Sequence, residues 1–221
     1  MSRPIHRPFR RLGVVGAGNM GNGIAQKMAT EGFEVVMVDL DYGRVDRGLR
    51  IVRETLEQGV ERGILGVEQV EAVRGRIEGT TDWGRLADAD LVVEAVFEDR
   101  DVKREVFARL DDACGPDTLL ATNTSSLSVT DLAAATRHPE RVLGLHYFYH
   151  PAKNRLVEVV PGEETPTEIT RRAWGFQKQL GKTPIASLDR PGFVVNRYFV
   201  PWANEAVRVL EEGRADLPTI E

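Results

Sequence analysis

Cysteine is almost absent from this chain of 221 residues, in which Cys114 is the only one. A single cysteine excludes an intrachain disulfide, and proteins without disulfides are typical of reducing compartments. Long apolar runs are absent too, since no stretch approaches the ~18 residues that a membrane-spanning helix needs. We therefore predict a cytoplasmic protein with no membrane segment.

An excess of positive charge is also missing. The 29 lysines and arginines are outnumbered by 34 aspartates and glutamates, so the net charge is −5, and the two signs are interspersed. Because nucleic acids and anionic membranes are bound through basic patches, this balance favours neither partner. What remains, 42% hydrophobic and 29% charged residues, is the composition of an ordinary folded protein.

The most informative feature that is present is the glycine-rich stretch Gly16-Ala17-Gly18-Asn19-Met20-Gly21. It follows the apolar run 12–15 and opens a segment whose apolar residues have helical spacing. A second apolar run, 35–38, then ends at Asp39. Glycines at this spacing, in the order strand, turn, helix, strand and acid, predict a dinucleotide-binding site.

Each glycine of this motif has its own physical task. Gly16 permits the tight turn, Gly18 lets a pyrophosphate approach the backbone, and Gly21 lets the helix pack against the strand. The phosphates would lie against free N–H groups at the start of the helix, where Asn19 and Met20 are. We therefore predict that the three glycines and these two residues bind the cofactor.

Asp39 is expected to select the cofactor. It lies eighteen residues past Gly21, close to the ~20 that separate such a motif from its ribose-binding acid. A carboxylate there would accept hydrogen bonds from two ribose hydroxyls and would repel a 2′-phosphate. We therefore predict NAD rather than NADP. The alternative is an ordinary glycine-rich turn in an α/β protein.

Apolar, strand-like runs alternate with helical patterns along most of the chain. The strands are predicted at 12–15, 35–38, 91–96, 118–122, 142–148, 156–160 and 183–188. The helices between them are predicted at 22–30, 43–63, 67–73, 102–110, 127–135 and 166–180, with Ser128 as the N-cap of the fifth. Repeated alternation of this kind predicts an α/β fold, doubly wound around a mostly parallel, Rossmann-type sheet.

The two ends of the chain differ from this pattern. The first nine residues carry prolines and arginines and are too short for a transit peptide, so we expect a loose tail. After Pro191 the strand signal is lost, and 194–212 has apolar residues at helical spacing. We predict an NAD-binding domain over residues 1–190 and, over 191–221, the first helix of an all-α C-terminal domain that is cut short.

Polar residues follow several of the predicted strands. Glu94 and His146 lie near the ends of the predicted strands 91–96 and 142–148, and the polar run 123–126 directly follows the predicted strand 118–122. Ligands of doubly wound sheets bind beyond the carboxyl ends of the strands, so these residues are candidates for a site. Glu158 lies inside an apolar strand, where an unpaired carboxylate would be costly.

Six motifs stand in the sequence in one order, namely Gly16–Ala25, Glu98 with Lys103, Asn123–Leu127, Gly144–Phe148, Leu156–Val159 and Pro191–Arg197. Together they resemble the 3-hydroxyacyl-CoA dehydrogenase family, over nearly the whole chain and in separate loops. The resemblance implies the NAD-dependent oxidation of a (3S)-3-hydroxyacyl-CoA to the 3-ketoacyl-CoA, as in fatty-acid β-oxidation. It also implies a two-domain fold and a homodimer.

The resemblance assigns roles to four polar residues. His146 would be the general base that takes the proton of the C3 hydroxyl, which suits a side chain with an ordinary pKa of ~6.5. Glu158 would bind the other ring nitrogen, fix the tautomer and favour the imidazolium. Ser125 and Asn196 would hydrogen-bond the substrate oxygen, and Ser125 would also contact the cofactor.

Four further residues match binding positions of the family. Glu98 and Lys103 resemble residues that line the cofactor site. Thr55 and Arg62 stand where the family uses a hydroxyl and a lysine toward CoA, and an arginine can also serve a phosphate. The resemblance therefore implies an acyl-CoA as the partner of this site.

Two features depart from the family pattern. The family has His-Phe-Phe-Asn-Pro where this chain has 146–151, so either Tyr149 or His150 takes the place of an asparagine near the nicotinamide ribose. This departure predicts an altered cofactor contact and a substrate other than a plain straight-chain acyl-CoA. The C-terminal part is also short, so Phe199 and Trp202 would require a partner surface.

Several alternatives remain open. The chain could be a dehydrogenase of a free hydroxy acid or sugar acid, or a non-catalytic NAD-binding protein. Glu98 and Lys103 could be an ordinary surface pair, and Ser125 could only cap the following helix. A zinc site is not expected, because His146 and His150 lie where a strand runs into a loop, not one turn apart on a helix.

Overall fold

The structure is a computed structural model that describes residues 8–220. The tail predicted at residues 1–9 therefore lies almost wholly outside the described range. The described strands are β1 (Arg11–Val15), β2 (Glu34–Val38), β3 (Ile77–Thr80), β4 (Leu91–Glu94), β5 (Leu119–Thr122), β6 (Val142–Tyr147), β7 (Leu156–Pro161) and β8 (Thr183–Ala186). The α-helices are α1 (Asn19–Thr30), α2 (Tyr42–Glu61), α3 (Val67–Gly75), α4 (Arg100–Ala113), α5 (Val129–Ala133), α6 (Thr167–Gln179), α7 (Val195–Glu211) and α8 (Leu217–Ile220).

The eight strands form one sheet in the order β3-β2-β1-β4-β5-β6-β7-β8. All neighbouring pairs are parallel except β6 and β7, which are antiparallel. The chain moves outward from β1 through β2 and β3, and then returns to add β4 on the other side of β1. The predicted doubly wound, mostly parallel fold is confirmed. The strand order reverses between β1 and β4, where ligands of such sheets bind.

Alternate strand residues face opposite sides of the sheet. Val35 belongs to the core on the first side, which includes residues of α1, α2 and α6, whereas Val36 belongs to the core on the second side, which includes residues of α4 and α5. On β6, Leu145 and Tyr147 belong to the first core, so His146 between them faces the second side. The same alternation that buries the apolar residues therefore sets the direction of the candidate base.

β3 is a strand that the sequence pattern does not predict. It lies at the edge of the sheet, and only Thr80 of its four residues is buried. Glu78 forms an ion pair with Arg85 at 2.6 Å, and a Cβ on Gly79 would lie 2.5 Å from Cγ1 of Val45. An edge strand built from polar and small residues gives no apolar alternation, which is why the pattern misses it.

α7 confirms the helix predicted after Pro191. It has no buried residue, and large apolar side chains such as Tyr198 and Trp202 are more than half exposed. Over residues 8–220, no helix is both long and apolar enough to cross a membrane.

The buried carboxylate of Asp111, on α4, is the centre of an ion-pair network that reaches the surface at Arg137. Its Oδ2 lies 2.8 Å from Nε of Arg137, and its Oδ1 lies 2.7 Å from an Nη of Arg141. Burial raises the pKa of the Asp111 carboxyl, but the hydrogen bonds from the two guanidinium groups outweigh burial and lower the pKa to about 2. The network therefore stabilises the ionised carboxylate and joins α4 to the segment before β6.

We expect the contribution of Asp111 to be lost between about pH 4 and about pH 2. A lowered pKa stabilises the folded state above the unfolded pKa, near 3.8, and the stabilisation disappears as the pH falls through the folded value, about 2. At neutral pH the shift corresponds to roughly 2 kcal/mol. Asp111→Asn should therefore destabilise the chain more at pH 7 than at about pH 2.5, as measured by chemical denaturation. An equal loss at both pH values would contradict this account.

Candidate active site

The glycine-rich turn joins β1 to α1 at the point where the strand order reverses. Gly16 has a φ of +100°, and a Cβ there would lie 2.5 Å from the carbonyl oxygen of Ala95. A Cβ on Gly21 would lie 1.7 Å from the carbonyl oxygen of Gly16, so only glycine fits either position. Around Gly18, by contrast, no atom of the described residues, apart from Gly18 itself and its neighbours in the chain, lies within 4 Å of the Cβ position. One side of the turn is therefore open to a ligand.

Asp39 approaches this turn from the end of β2. Its Oδ2 accepts a hydrogen bond from the Ala17 N–H at 2.7 Å. A cleft of about 420 Å³ lies here, lined by Val15, Gly16, Gly18, Asn19, Met20, Asp39, Leu40, Arg44, Trp83, Ala95, Val96, Phe97, Val102 and Val106. The cleft thus brings Asp39 together with the predicted cofactor residues of the glycine-rich turn, while Gly21 is buried behind the turn. The other predicted cofactor residues, Glu98, Lys103 and Ser125, do not line it.

The apolar part of this lining was not predicted from the sequence. Trp83 comes from a 3-10 helix at 83–86, Phe97 follows β4, and Val102 belongs to α4. These residues are far apart in the chain and share no motif, so only the fold reveals them. A larger groove of about 620 Å³ between α2 and α3 is lined by none of the predicted site residues.

Lys103 is not half of an exposed surface pair. Its side chain is 1% exposed, and its Nζ lies 2.6 Å from Oε1 of Glu94 and 3.2 Å from Oε2 of Glu98. Glu94 is fully buried and also accepts a hydrogen bond from Oγ1 of Thr122 at 2.7 Å. Because a buried lysine requires such partners, the cluster fixes α4 against the ends of β4 and β5.

Glu98 connects this cluster to the polar run after β5. Its Oε1 accepts hydrogen bonds from Oγ1 of Thr124 at 2.5 Å, from the Ser125 N–H at 3.0 Å and from Oγ of Ser126 at 3.1 Å. Burial raises the pKa of Glu98, but the hydrogen bond from Thr124 and the charge of Lys103 outweigh it, so the pKa lies below its usual value. Glu98 is therefore ionised at neutral pH and holds the backbone of Ser125.

His146 and Glu158 lie directly opposite each other in the antiparallel pair of β6 and β7. Nδ1 of His146 is 2.6 Å from Oε2 of Glu158, and the two side chains are 8% and 0% exposed. Oε1 of Glu158 accepts hydrogen bonds from the N–H groups of Val194 and Val195, at 2.8 and 2.9 Å, where α7 begins. Both carboxylate oxygens are therefore engaged, one by the imidazole and one by the helix.

The ionisation of Glu158 follows from these partners. Burial raises its pKa, but the hydrogen bonds from His146 and from the N–H groups of Val195 and Val194 outweigh burial, so the pKa lies below its usual value. An ionised Glu158 can only accept, so Nδ1 of His146 donates and Nε2 remains as a proton acceptor.

Asn196 of α7 meets the polar run after β5. Its Nδ2 donates a hydrogen bond to the carbonyl oxygen of Ser125 at 3.2 Å. In the same run, Oδ1 of Asn123 accepts from the Tyr147 N–H at 2.9 Å and ties the end of β5 to β6, next to His146. The structure thus brings Ser125, Asn196 and the His146–Glu158 pair into one region.

α5 begins as the sequence predicts, with Ser128 as its N-cap. Oγ of Ser128 accepts a hydrogen bond from the Asp131 N–H at 3.2 Å. Ser125 is therefore not the cap of this helix and is available for another role.

Thr55 and Arg62 lie in a different part of the fold. Thr55 is half-buried on α2, and Arg62 is the exposed residue that ends this helix. α2 packs against α1, α3 and β3, at the β3 edge of the sheet, whereas His146 and Glu158 are on β6 and β7. The structure does not place the two predicted CoA residues beside that pair.

Tyr149 and His150, the two unusual residues of the segment after β6, have different surroundings. Tyr149 is 73% exposed. His150 is turned toward α1, where its Cε1 lies 3.3 Å from the Cβ position of Gly23, and its Nδ1 accepts from the Ala152 N–H at 3.2 Å. Burial, followed by the charge of Lys153, lowers the pKa of His150. The neutral imidazole of His150 therefore contacts α1 together with Pro151, whose Cδ lies 2.9 Å from the same Cβ position.

Known proteins resemble this chain over most of its length. The family model described as "3-hydroxyacyl-CoA dehydrogenase, NAD binding domain" matches residues 11–190, and the model of the C-terminal domain of that family matches residues 192–221. The chain belongs to the 3-hydroxyacyl-CoA dehydrogenase family. It carries the NAD-binding domain of these oxidoreductases, which confirms the predicted family and cofactor.

Three relatives with named activities cover most of this chain. The probable 3-hydroxybutyryl-CoA dehydrogenase of Deinococcus radiodurans is 41% identical over 211 residues, which cover 96% of this chain and 76% of that protein. The 3-hydroxyadipyl-CoA dehydrogenase of Escherichia coli K12 is 41% identical over 201 residues, which cover 91% of this chain and 42% of that protein. The crystal structure of (S)-3-hydroxybutyryl-CoA dehydrogenase from Ralstonia eutropha matches with a TM-score of 0.92 and 39% identity, covering 96% of this chain and 75% of that one.

Proposed function

We propose that this chain oxidises a (3S)-3-hydroxyacyl-CoA to the 3-ketoacyl-CoA with NAD, and that it catalyses the reverse reduction with NADH. The main support is the buried pair of His146 and Glu158, in which the carboxylate holds one ring nitrogen and leaves the other for chemistry. The open space beside Gly18 supports the cofactor, because a pyrophosphate fits where a side chain would otherwise stand.

His146 performs the proton transfer in this proposal. Its Nε2 takes the proton of the C3 hydroxyl while the C3–H bond breaks, because Nδ1 already donates to Glu158. The charge of Glu158 then stabilises the imidazolium. NAD, when bound, supplies the acceptor of the hydride. In the reverse direction the imidazolium returns its proton to the C3 oxygen.

Ser125 and Asn196 are proposed to hold the reacting oxygen of the substrate. Their contact joins the loop after β5 to the first turn of α7. Hydrogen bonds from the Ser125 hydroxyl and the Asn196 amide would fix the C3 oxygen against Nε2, and positioning of this kind is a large part of catalysis. Ser125 is also proposed to contact the cofactor, because its backbone N–H is bound to Glu98, which is itself proposed to line the cofactor site.

Asp39 and the motif 16–21 are proposed to bind the ribose and the pyrophosphate, with Asp39 excluding the 2′-phosphate of NADP. Glu98 is proposed to line the nicotinamide end of the site. Lys103 would act there through Glu94 and Glu98, because it is almost completely buried and both carboxylates lie within 3.2 Å of its Nζ.

The relatives named for 3-hydroxybutyryl-CoA and 3-hydroxyadipyl-CoA support a CoA thioester as the substrate. Thr55 and Arg62 are proposed to face the CoA part. The exposed apolar side chains of α7, Trp202 among them, are consistent with a homodimer in which 191–221 begins a helical domain beside the NAD-binding domain 1–190. A cytoplasmic location completes the proposal.

Reduction of acetoacetyl-CoA is the direct test. We expect the purified chain to oxidise NADH with acetoacetyl-CoA, followed by the absorbance of NADH, and to use NADPH much less well because of Asp39. Longer and branched 3-ketoacyl-CoAs define the acyl preference.

Two outcomes would contradict the proposal. Faster turnover of free acetoacetate than of its CoA thioester would indicate a dehydrogenase of a free hydroxy acid. NADH binding without turnover of any 3-ketoacyl-CoA would indicate a non-catalytic NAD-binding protein.

A further inference from the structure

Asp189 has no part in the proposed reaction, yet its carboxylate is extensively bonded. It lies between β8 and α7, and its partners are the first residues of α5. Oδ2 accepts from Oγ of Ser128 at 2.8 Å, and from the N–H and Oγ1 of Thr130 at 2.9 and 2.6 Å. Oδ1 accepts from the Val129 N–H at 2.9 Å. One carboxylate thus satisfies two N–H groups that the start of a helix leaves unpaired.

The chain after Asp189 is attached to the same helix a second time. Gly192 and Phe193 both have positive φ, +78° and +45°, and form a tight turn. The side chain of Phe193 is buried against Val129 of α5 and Val160 of β7. The path from Asp189 to α7 is therefore short and held at both ends.

The groups directly after this turn contact the candidate site. The N–H groups of Val194 and Val195 donate to Oε1 of Glu158, and Nδ2 of Asn196 donates to the carbonyl oxygen of Ser125. These donors belong to three consecutive residues. A displacement of the segment 189–196 would therefore move all of them together.

We propose that Asp189 is a positioning residue for the His146–Glu158 pair. By fastening the segment 189–196 to α5, it holds the start of α7 against Glu158 and holds Asn196 against Ser125. The kinetic effect presupposes the proposed dehydrogenase reaction, whereas the structural effect on α7 does not.

The loss of Asp189 would act on Glu158, the buried hydrogen-bond acceptor that the start of α7 contacts. Without the two N–H donors of α7, Oε1 of Glu158 has no partner in a site where an unpaired acceptor is costly. The carboxylate can then turn away from Nδ1 of His146, and a misplacement of about 1 Å can cost ~100-fold in rate. Cofactor binding should be spared, because the glycine-rich turn and Asp39 belong to β1, α1 and β2.

Asp90 offers a matched control for a purely structural effect. It is also a buried carboxylate that accepts backbone hydrogen bonds, from the N–H groups of Arg10 and Arg11 at 2.7 and 3.0 Å. These contacts lie at the amino end of β1, whereas the candidate site lies at the carboxyl ends of the strands. Asp90→Asn should therefore lower Tm without changing kcat.

The experiment compares Asp189→Ala and Asp189→Asn with Asp90→Asn in the full chain. We expect kcat for acetoacetyl-CoA reduction to fall ~10- to 100-fold in Asp189→Ala, with the Kd for NADH unchanged within about twofold. The loss should be smaller in Asp189→Asn, which keeps one side-chain acceptor. The amide hydrogens of Val194 and Val195 should exchange faster in both variants and at the wild-type rate in Asp90→Asn.

A lowered Tm with unchanged kcat and unchanged exchange at Val194 and Val195, in both Asp189 variants, would overturn the proposal. If Asp189→Ala does not fold, Asp189→Asn decides by the same measurements. If the wild-type chain reduces no 3-ketoacyl-CoA, the proposed function fails, and the exchange of the two amides alone decides whether Asp189 holds α7 on Glu158.

Discussion

Replacing His146 with glutamine is expected to lower kcat for acetoacetyl-CoA reduction by ~10²- to 10⁴-fold, the range of general acid–base catalysis. Glutamine is similar in size and can still hydrogen-bond Glu158, but it has no group that exchanges a proton near neutral pH. Because His146 is on β6 and the glycine-rich turn follows β1, NADH should bind the variant as it binds the wild type. Steady-state kinetics and a fluorescence titration with NADH measure the two effects.

His138 provides the matched control. Its Nδ1 lies 3.2 Å from Oε1 of Glu140, so it is also a histidine paired with a glutamate, but both side chains are about half exposed. His138→Gln should change neither kcat nor the affinity for NADH. Turnover by His146→Gln at the wild-type rate would remove His146 from the mechanism.

Glu158→Gln is expected to reduce kcat by roughly 10²- to 10⁴-fold as well. The carboxylate accepts on both oxygens, from His146 on one and from the α7 N–H groups on the other. A glutamine has one acceptor and one donor, so its NH2 group must face one of these partners. If it faces the ring, Nδ1 must accept and the proton moves to Nε2, where the base is needed. If it faces α7, two N–H groups lose their acceptor.

The stability of Glu158→Gln should depend on pH. Because the pKa of Glu158 is lowered in the folded state, its charge stabilises the fold above the unfolded pKa of ~4.3 and ceases to do so as the pH falls through the lower folded value. The difference in Tm between wild type and variant should be largest at neutral pH and should shrink below about pH 4. Glu163→Gln, the same change at an exposed position two residues past β7, should leave kcat and Tm close to the wild type. Full activity of Glu158→Gln would show that the carboxylate does not orient the base.

The buried strands could be predicted from sequence because both faces of a parallel sheet are covered, so that β1, β2 and β4 are continuous apolar runs. β3 could not, because its position at the edge allows Glu78 and requires Gly79. The burial of Lys103 could not be predicted either, because this burial depends on Glu94 of a neighbouring strand and not on the helix that carries Lys103.

A part of the candidate site can be predicted from sequence more readily when its residues lie close together in the chain. The glycine-rich turn is local, and its spacing alone indicates the space that the structure shows at Gly18. His146 and Glu158 are twelve residues apart, and only the register of an antiparallel pair places them opposite each other. The local pattern therefore indicated each residue by itself, and only the family resemblance indicated that they form a pair. Asp189 bonds to residues about sixty positions away, which no sequence pattern relates to it.

The antiparallel pairing of β6 with β7 separates the chemistry from the loop that joins these strands. The ladder extends from Leu143 opposite Pro161 to Tyr147 opposite Val157. This register places His146 opposite Glu158, and the loop residues 148–155 are not part of it. Side-chain replacements in this loop therefore leave the backbone pairing of His146 with Glu158 in place. In evolutionary terms, the sequence of this hairpin loop can vary more freely than the ladder beside it, because the His146–Glu158 pair depends on the ladder.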